Sequence, residues 1–141
     1  MPKGVAFDND LLKLIFQATT ITGLAQNAGS PITSIYVALH TADPSAGNQN
    51  TNEVAYTSYS RVAVVRTSGG WTVTGNVAVN AGATTFPACT GGSATAAYFS
   101  VGQLASGAGE IYYSGQLTAP LTITNGVTPQ FSAGNAQVTE T

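Results

Sequence analysis

Charge is what this chain has least of. Only 7% of its 141 residues are Asp, Glu, Lys or Arg, and four of those are basic, against roughly a quarter charged in ordinary soluble domains. With a net charge of −2 there is no cationic stripe to follow a phosphate backbone, so nucleic acid is not an expected partner. A single cysteine, Cys89, excludes a disulfide within the chain and a multi-cysteine zinc site. One histidine, His40, leaves imidazole chemistry a single position. Uninterrupted apolar runs are also missing. No window approaches 18 apolar residues, so no membrane-spanning helix is expected. The N-terminal stretch carries Asp8, Asp10 and Lys13 in and around its apolar residues, unlike a secretory leader. The expectation is a protein that stays on the synthesis side of the membrane unless lysis releases it.

What is there instead is Gly, Thr, Ser, Asn and Gln around an apolar fraction of 43%, enough to build a core. Residues 1–7 read as an arm. Asp8 or Asn9 is placed to cap a helix over about residues 10–20, with Leu11, Leu12, Ile15 and Phe16 on one face. Thr19 to Pro31 reads as a connection anchored by Ile21 and Leu24.

From Ser34 onward the period is two. Ile35, Val37 and Leu39 alternate with Tyr36, Ala38 and His40, and Val62 and Val64 alternate with Arg61, Ala63 and Val65, the pattern of strands with one buried face. Further strands are expected at WTVT (71–74), Val77–Asn80, TTFPACT, SATAAYFSVG, Glu110–Leu117, LTIT, VTPQFS and Ala136–Thr139. The pairs Gly69-Gly70, Gly91-Gly92 and Asn125-Gly126 tolerate positive φ and read as hairpin turns. Pro129 marks an edge or a bulge. The fold class expected is all-β: a jelly-roll-like two-sheet β-sandwich with one short N-terminal helix, an immunoglobulin-like sandwich being second. Residues 1–141 are expected to form one domain.

The densest chemistry lies between the first two strands. The loop Thr41–Ser58 is longer than a compact domain ordinarily allows. Around it gather His40, Asp43, Glu53, Arg61 and Arg66. His40, Asp43 and Ser45 are the one candidate nucleophile–base–acid set. Against it, no nucleophile-elbow glycines surround any serine, and the favoured reading is a strand end at which His40 hydrogen-bonds the backbone and Asp43-Pro44 starts a turn. Arg61 and Arg66 are expected to pair with Asp43 or Glu53. The scattered acids suggest neither a calcium loop nor a glycosidase pair, so no cofactor and no metal are expected. Tyr56, Tyr59, Trp71, Tyr98, Tyr112 and Tyr113 suit a sugar-binding face or, more simply, cross-strand and core packing. The partner-contact candidates are Asp43, Glu53, Tyr56, Tyr59 and Arg61.

At LHTADPSAGNQNTNEVAYTSYSRVAV, followed by GGWTVTGNVAVNAGATTFPACTGG, YFSVG and SGAGEIYYSGQL, the chain resembles a group of small tailed-phage virion proteins. They are described as structural, tail-fibre or head-decoration proteins. Within that group it is most similar to capsid cement proteins such as that of a Bordetella tailed phage, a jelly roll on an HK97-like capsid. The resemblance implies a non-enzymatic decoration protein on the outer capsid surface. Its partners would be the major capsid protein and itself, as a homodimer or homotrimer. A tail or fibre component that binds host-surface glycans is the alternative it implies. It carries no catalytic residues.

Overall fold

The computed structural model describes residues 5–21 and 31–141. The expected anchor Leu24 and the start of the expected arm lie outside these residues. In order, the elements are α1 (Val5–Gln17), β1 (Ser34–His40), β2 (Val62–Val65), β3 (Trp71–Thr74), β4 (Val77–Asn80), β5 (Thr84–Thr85), β6 (Ala94–Gly102), β7 (Ile111–Ile123), β8 (Gln130–Phe131) and β9 (Gln137–Thr139). The chain is all-β with one N-terminal helix, as its periodicity requires. Its strands form antiparallel sheets of four (β2-β1-β6-β7), three (β3-β4-β9) and two (β5-β8). They fall into two compact units: residues 1–34, 64–83 and 131–141, and residues 35–63 and 84–130.

In the first unit α1 packs on the β3–β4 hairpin. The helix starts earlier than its apolar face suggests, so Asp8 and Asn9 lie inside the opening turns and are not caps. Asp8 is buried there, a carboxylate near the positive end of the helix dipole. Asn9 Nδ2 donates to the Gly75 carbonyl at 2.7 Å and Gln17 Nε2 to the Trp71 carbonyl at 3.1 Å, so each end of the helix is tied to the hairpin. Between these ties Phe16 meets Trp71 edge-on, ring centroids 4.5 Å apart. Leu12, Phe16 and Trp71 are fully buried, each stabilising by about 1.5–3 kcal/mol through the apolar surface it removes from water. The helix stops at Ala18, whose φ of 53° turns the chain, and the Thr19 amide reaches back to the Lys13 carbonyl.

Arg66 closes the C-terminal end of the helix. Nε donates to the Ile15 carbonyl at 2.5 Å, Nη2 to Leu14 at 2.6 Å and Nη1 to Ile32 at 2.6 Å. Its guanidinium thus answers carbonyls that a helix end leaves unpaired and lies where the dipole favours a cation. The expected ion pair of Arg66 with Asp43 or Glu53 is replaced by these three carbonyls.

Across the same unit Asn80 organises the return to β9. Its Nδ2 donates to the carbonyls of Gly82 and Ser132, and its Oδ1 accepts from the Ala136 amide. β9 then pairs with β4, Ala78 opposite Val138.

The second unit is built on β1, β6 and β7, with Val37 opposite Val101, Leu39 opposite Phe99, and Val101 opposite Tyr113. Period two puts Ile35, Val37, Leu39, Phe99 and Val101 on one face, and all are buried. β7 merges two expected strands, Glu110–Leu117 and LTIT. Pro120 does not break it, because the register shifts opposite Ala96–Tyr98 and β7 is an edge, where a proline has no ladder bond to lose.

Of the expected hairpin turns, the glycine pairs join strands of different sheets. The true two-residue hairpin is Gly75-Asn76, between Thr74 and Val77, where Gly75 has φ 61°. Pro129, expected in an edge or bulge, offers its carbonyl to the Phe86 amide beside the short β5–β8 pair.

Replacing Arg66 by Met keeps the aliphatic stem and removes the charged donors. Unfolding free energy should fall by about 3 kcal/mol, the scale of hydrogen bonds from a charged group lost in a buried site. Urea denaturation measures it. An unchanged midpoint contradicts the clamp.

Candidate functional site

The long loop is not open. From His40 the chain turns at Asp43, whose Oδ1 accepts the Ser45 amide at 2.9 Å, an Asx turn. That bond holds the exposed Asp43 carboxyl below its ordinary value. Asn48 repeats the device toward the Asn50 amide. The loop then comes back to the sheet. Thr41 N donates to the Asn52 carbonyl and Val54 N to the Leu39 carbonyl, and Glu53 bridges to His40. A run of small polar and amide residues folds this way because side-chain oxygens take the amides that no sheet partner satisfies.

At its centre is Arg61. Nε and Nη2 grip the two Glu53 oxygens at 2.7 and 2.8 Å, the bidentate fork that suits a guanidinium. Nη2 also donates to Asn50 Oδ1 and to the Gly107 carbonyl, and Nη1 to the Leu104 carbonyl, all at 2.9 Å. The Arg61 side chain is 2% exposed and that of Glu53 17%. Tyr59 completes the acid's shell, its hydroxyl donating to Glu53 Oε1 at 2.9 Å while accepting the Leu39 amide at 3.1 Å. Burial first, and then the neighbouring carboxylate, push the Tyr59 phenol far above its ordinary value.

Beside this network, His40 is wholly buried between Thr51 and Ser100. Nδ1 lies 2.9 Å from the Thr51 carbonyl and Nε2 2.8 Å from Ser100 Oγ. A carbonyl only accepts, so Nδ1 carries the proton and Nε2 takes the serine's hydrogen. Burial draws the imidazole pKa below 6.5, although the Thr51 carbonyl and the Glu53 charge oppose it. A serine on a histidine nitrogen is the geometry of a nucleophile and its base. Here both residues are 0% exposed, and the orienting group on Nδ1 is a backbone carbonyl. The pair holds the loop to the sheet. Asp43 and Ser45, the other members of the sequence's candidate set, bond to each other through Ser45's backbone.

Gln49 forms the second clamp, and sequence reasoning missed it. Fully buried, it gives its backbone amide to the Gly109 carbonyl and accepts the Leu104 amide on Oε1 at 2.7 Å. A Cβ on Gly109 would sit 2.1 Å from that same oxygen, so only glycine fits the approach. The available signal was Ser100 and Gly102 at period two within an apolar strand, which marks β6's second face as one that accepts polar groups.

Of the five partner-contact candidates, the structure joins Glu53, Tyr59 and Arg61 in one network. It buries Tyr56, whose hydroxyl donates to the Pro87 carbonyl at 2.8 Å, and leaves Asp43 exposed. Tyr56 and Tyr59 pack edge to face with centroids 5.3 Å apart, and Tyr59 stacks on Phe86. Among the aromatics considered for a sugar face, Tyr56 and Trp71 are therefore core residues.

His40 gives the fold an acid limit. Between pH 6.5 and its lower folded value the unfolded chain binds more protons than the folded one, so stability falls as pH drops through that window. Asp43 adds a separate window below its ordinary 3.8. Thermal midpoints across pH should show the first decline, and His40→Gln should be less stable at neutral pH but lack that slope. A wild-type midpoint indifferent to pH just below 6.5 contradicts the assignment.

No curated protein matches the chain closely enough to count as a relative. One family does match, along nearly all of it. Residues 6–139, which hold all but the first residue of the helix, every strand of the described residues and the Arg61 network, fit the family described as Podophage GP4 fiber I protein gp80. The chain belongs to this family of phage virion structural proteins.

Proposed function

We propose that the chain is a non-enzymatic structural subunit of the virion's fibre apparatus, on the tail side of the particle. The observation that carries this reading is the match over residues 6–139 to a family named for a fibre protein. The fate of the charges supports it. Arg61 and Arg66 are both buried, and among the described residues the exposed acids are Asp10, Asp43 and Glu110. Apart from these three acids, the exposed described residues are uncharged. Such a surface has little charge to desolvate and makes contacts that salt does not screen, which suits a part that must stay assembled as the particle passes between media. Its partners in this reading are neighbouring virion proteins and further copies of itself, a dimer or trimer. A host glycan would meet the half-buried Tyr98 and Tyr112, which share one face of the β6–β7 pair.

Gold-labelled antibody to the chain, applied to intact virions, tests this. Label should gather on the tail fibres, with a copy number well below that of the major capsid protein. Uniform label over the head overturns the fibre reading in favour of capsid cement. No label and no copies in purified virions overturn both.

A further inference from the structure

The Arg61 network has a product that its own bonds do not require: it displays a loop. Residues 103–108, QLASGA, are exposed one after another, and Leu104 is one of three large hydrophobic side chains exposed among the described residues, at 42%. Yet the loop's backbone is held at both ends and at Gly107. Leu104 N is tied to Gln49 Oε1 and its carbonyl to Arg61. The Gly107 carbonyl takes Arg61 Nη2. Gly109 is bonded to the Gln49 amide, and the Gln103 amide to the Glu110 carbonyl. A buried arginine and a buried glutamine thus fix a stretch whose side chains contribute little to the core.

We infer that residues Gln103–Ala108 are a preorganised docking finger, with Leu104 as the knob that enters an uncharged apolar pocket on a different protein of the virion. This rests on the structural reading above and adds the surface and the chemistry of the contact. A rigid loop loses little freedom on binding, so its leucine retains most of its transfer free energy. Residues 103–109 carry no charge and no aromatic ring. They offer nothing to a phosphate backbone and no stacking plate to a sugar, whereas a leucine among Ala, Ser and Gly lets a partner's backbone approach closely. Glu110, exposed at the loop's root, decides between partners. Two copies docking finger to finger would face acid with acid, while a different protein with a neutral or basic rim meets no such repulsion. Six residues cannot bury the roughly 1,000 Å² of a self-sufficient interface, so the finger is the anchor of a wider contact.

The test uses a phage lacking this gene, complemented in the host with wild type or variants, and measures copies per purified virion. Leu104→Asp should lower incorporation about tenfold or more, the effect of losing a central anchor, while the purified variant keeps the wild-type circular dichroism and urea midpoint. Gly107→Ala retains the leucine but strains a residue at φ 85° with open space around it, and should lower incorporation by a smaller factor. Ala88→Asp, at an exposed position elsewhere in the same unit, should incorporate normally. A folded Leu104→Asp that incorporates like wild type overturns the finger. So does a Leu104→Asp that incorporates normally but no longer self-associates in sedimentation, which would make the contact one between copies. Absence of the wild type from virions is a different failure, that of the virion assignment itself.

Discussion

The partly buried pairing of Arg61 with Glu53 is the interaction on which the second unit depends. Stripping water from two charges costs several kcal/mol each, and a pair of this kind is often no better for stability than a hydrophobic replacement of equal volume. Its worth lies in what one partner without the other would cost, about 3–5 kcal/mol, and in how few backbone arrangements satisfy every donor. Arg61 reaches Glu53, Asn50, Leu104 and Gly107 at once. Those four residues come from two loops far apart in sequence, and only one folding of the polar stretch brings them together. The ion pair therefore acts chiefly as a geometric specification, and the sheet's apolar face supplies most of the stability.

The same economy governs the first unit with a different set of partners. Arg66 is surrounded by carbonyls where Arg61 meets a carboxylate, and it does for the end of a helix what Arg61 does for a pair of loops. In a chain with four basic residues, two of them are used to satisfy backbone that lies outside the regular ladders. Among the described residues, an exterior whose exposed charges are three acids follows from this. Charge has been moved to where it determines conformation and away from where it would make surface contacts depend on salt.

How much of this was legible in the sequence follows from which forces act locally. Strand periodicity is local, so β1, β2, β3, β4, β6 and β9 appear within a residue or two of their expected places. The Arg61–Glu53 pair was among the expected ones, since opposite charges are few and lie close in sequence. The helix is legible from its apolar face but its start is not, because Asn9 is drawn inside by a bond to the Gly75 carbonyl of the hairpin that no local rule contains. The glycine pairs were legible as turns, whereas the sheets they lead into depend on pairing across long separations. Leu104 and Gln49 stayed hidden for the same reason: 55 residues separate them. A strand-end His40 bonded to backbone is legible locally and is what Thr51 provides, whereas the serine on its other nitrogen lies 60 residues away.

The polar stretch from Thr41 to Ser58 and the finger after β6 are folded structure and not mobile loops. Amide hydrogen exchange read residue by residue tests this directly. The amides of Gln49, Thr51, Val54 and Leu104, each with a carbonyl or side-chain acceptor, should be protected to the degree of the β1 and β6 amides, since opening them requires breaking the Arg61 network. Exchange at those four amides as fast as in an unstructured peptide, with β1 and β6 still protected, would contradict the account.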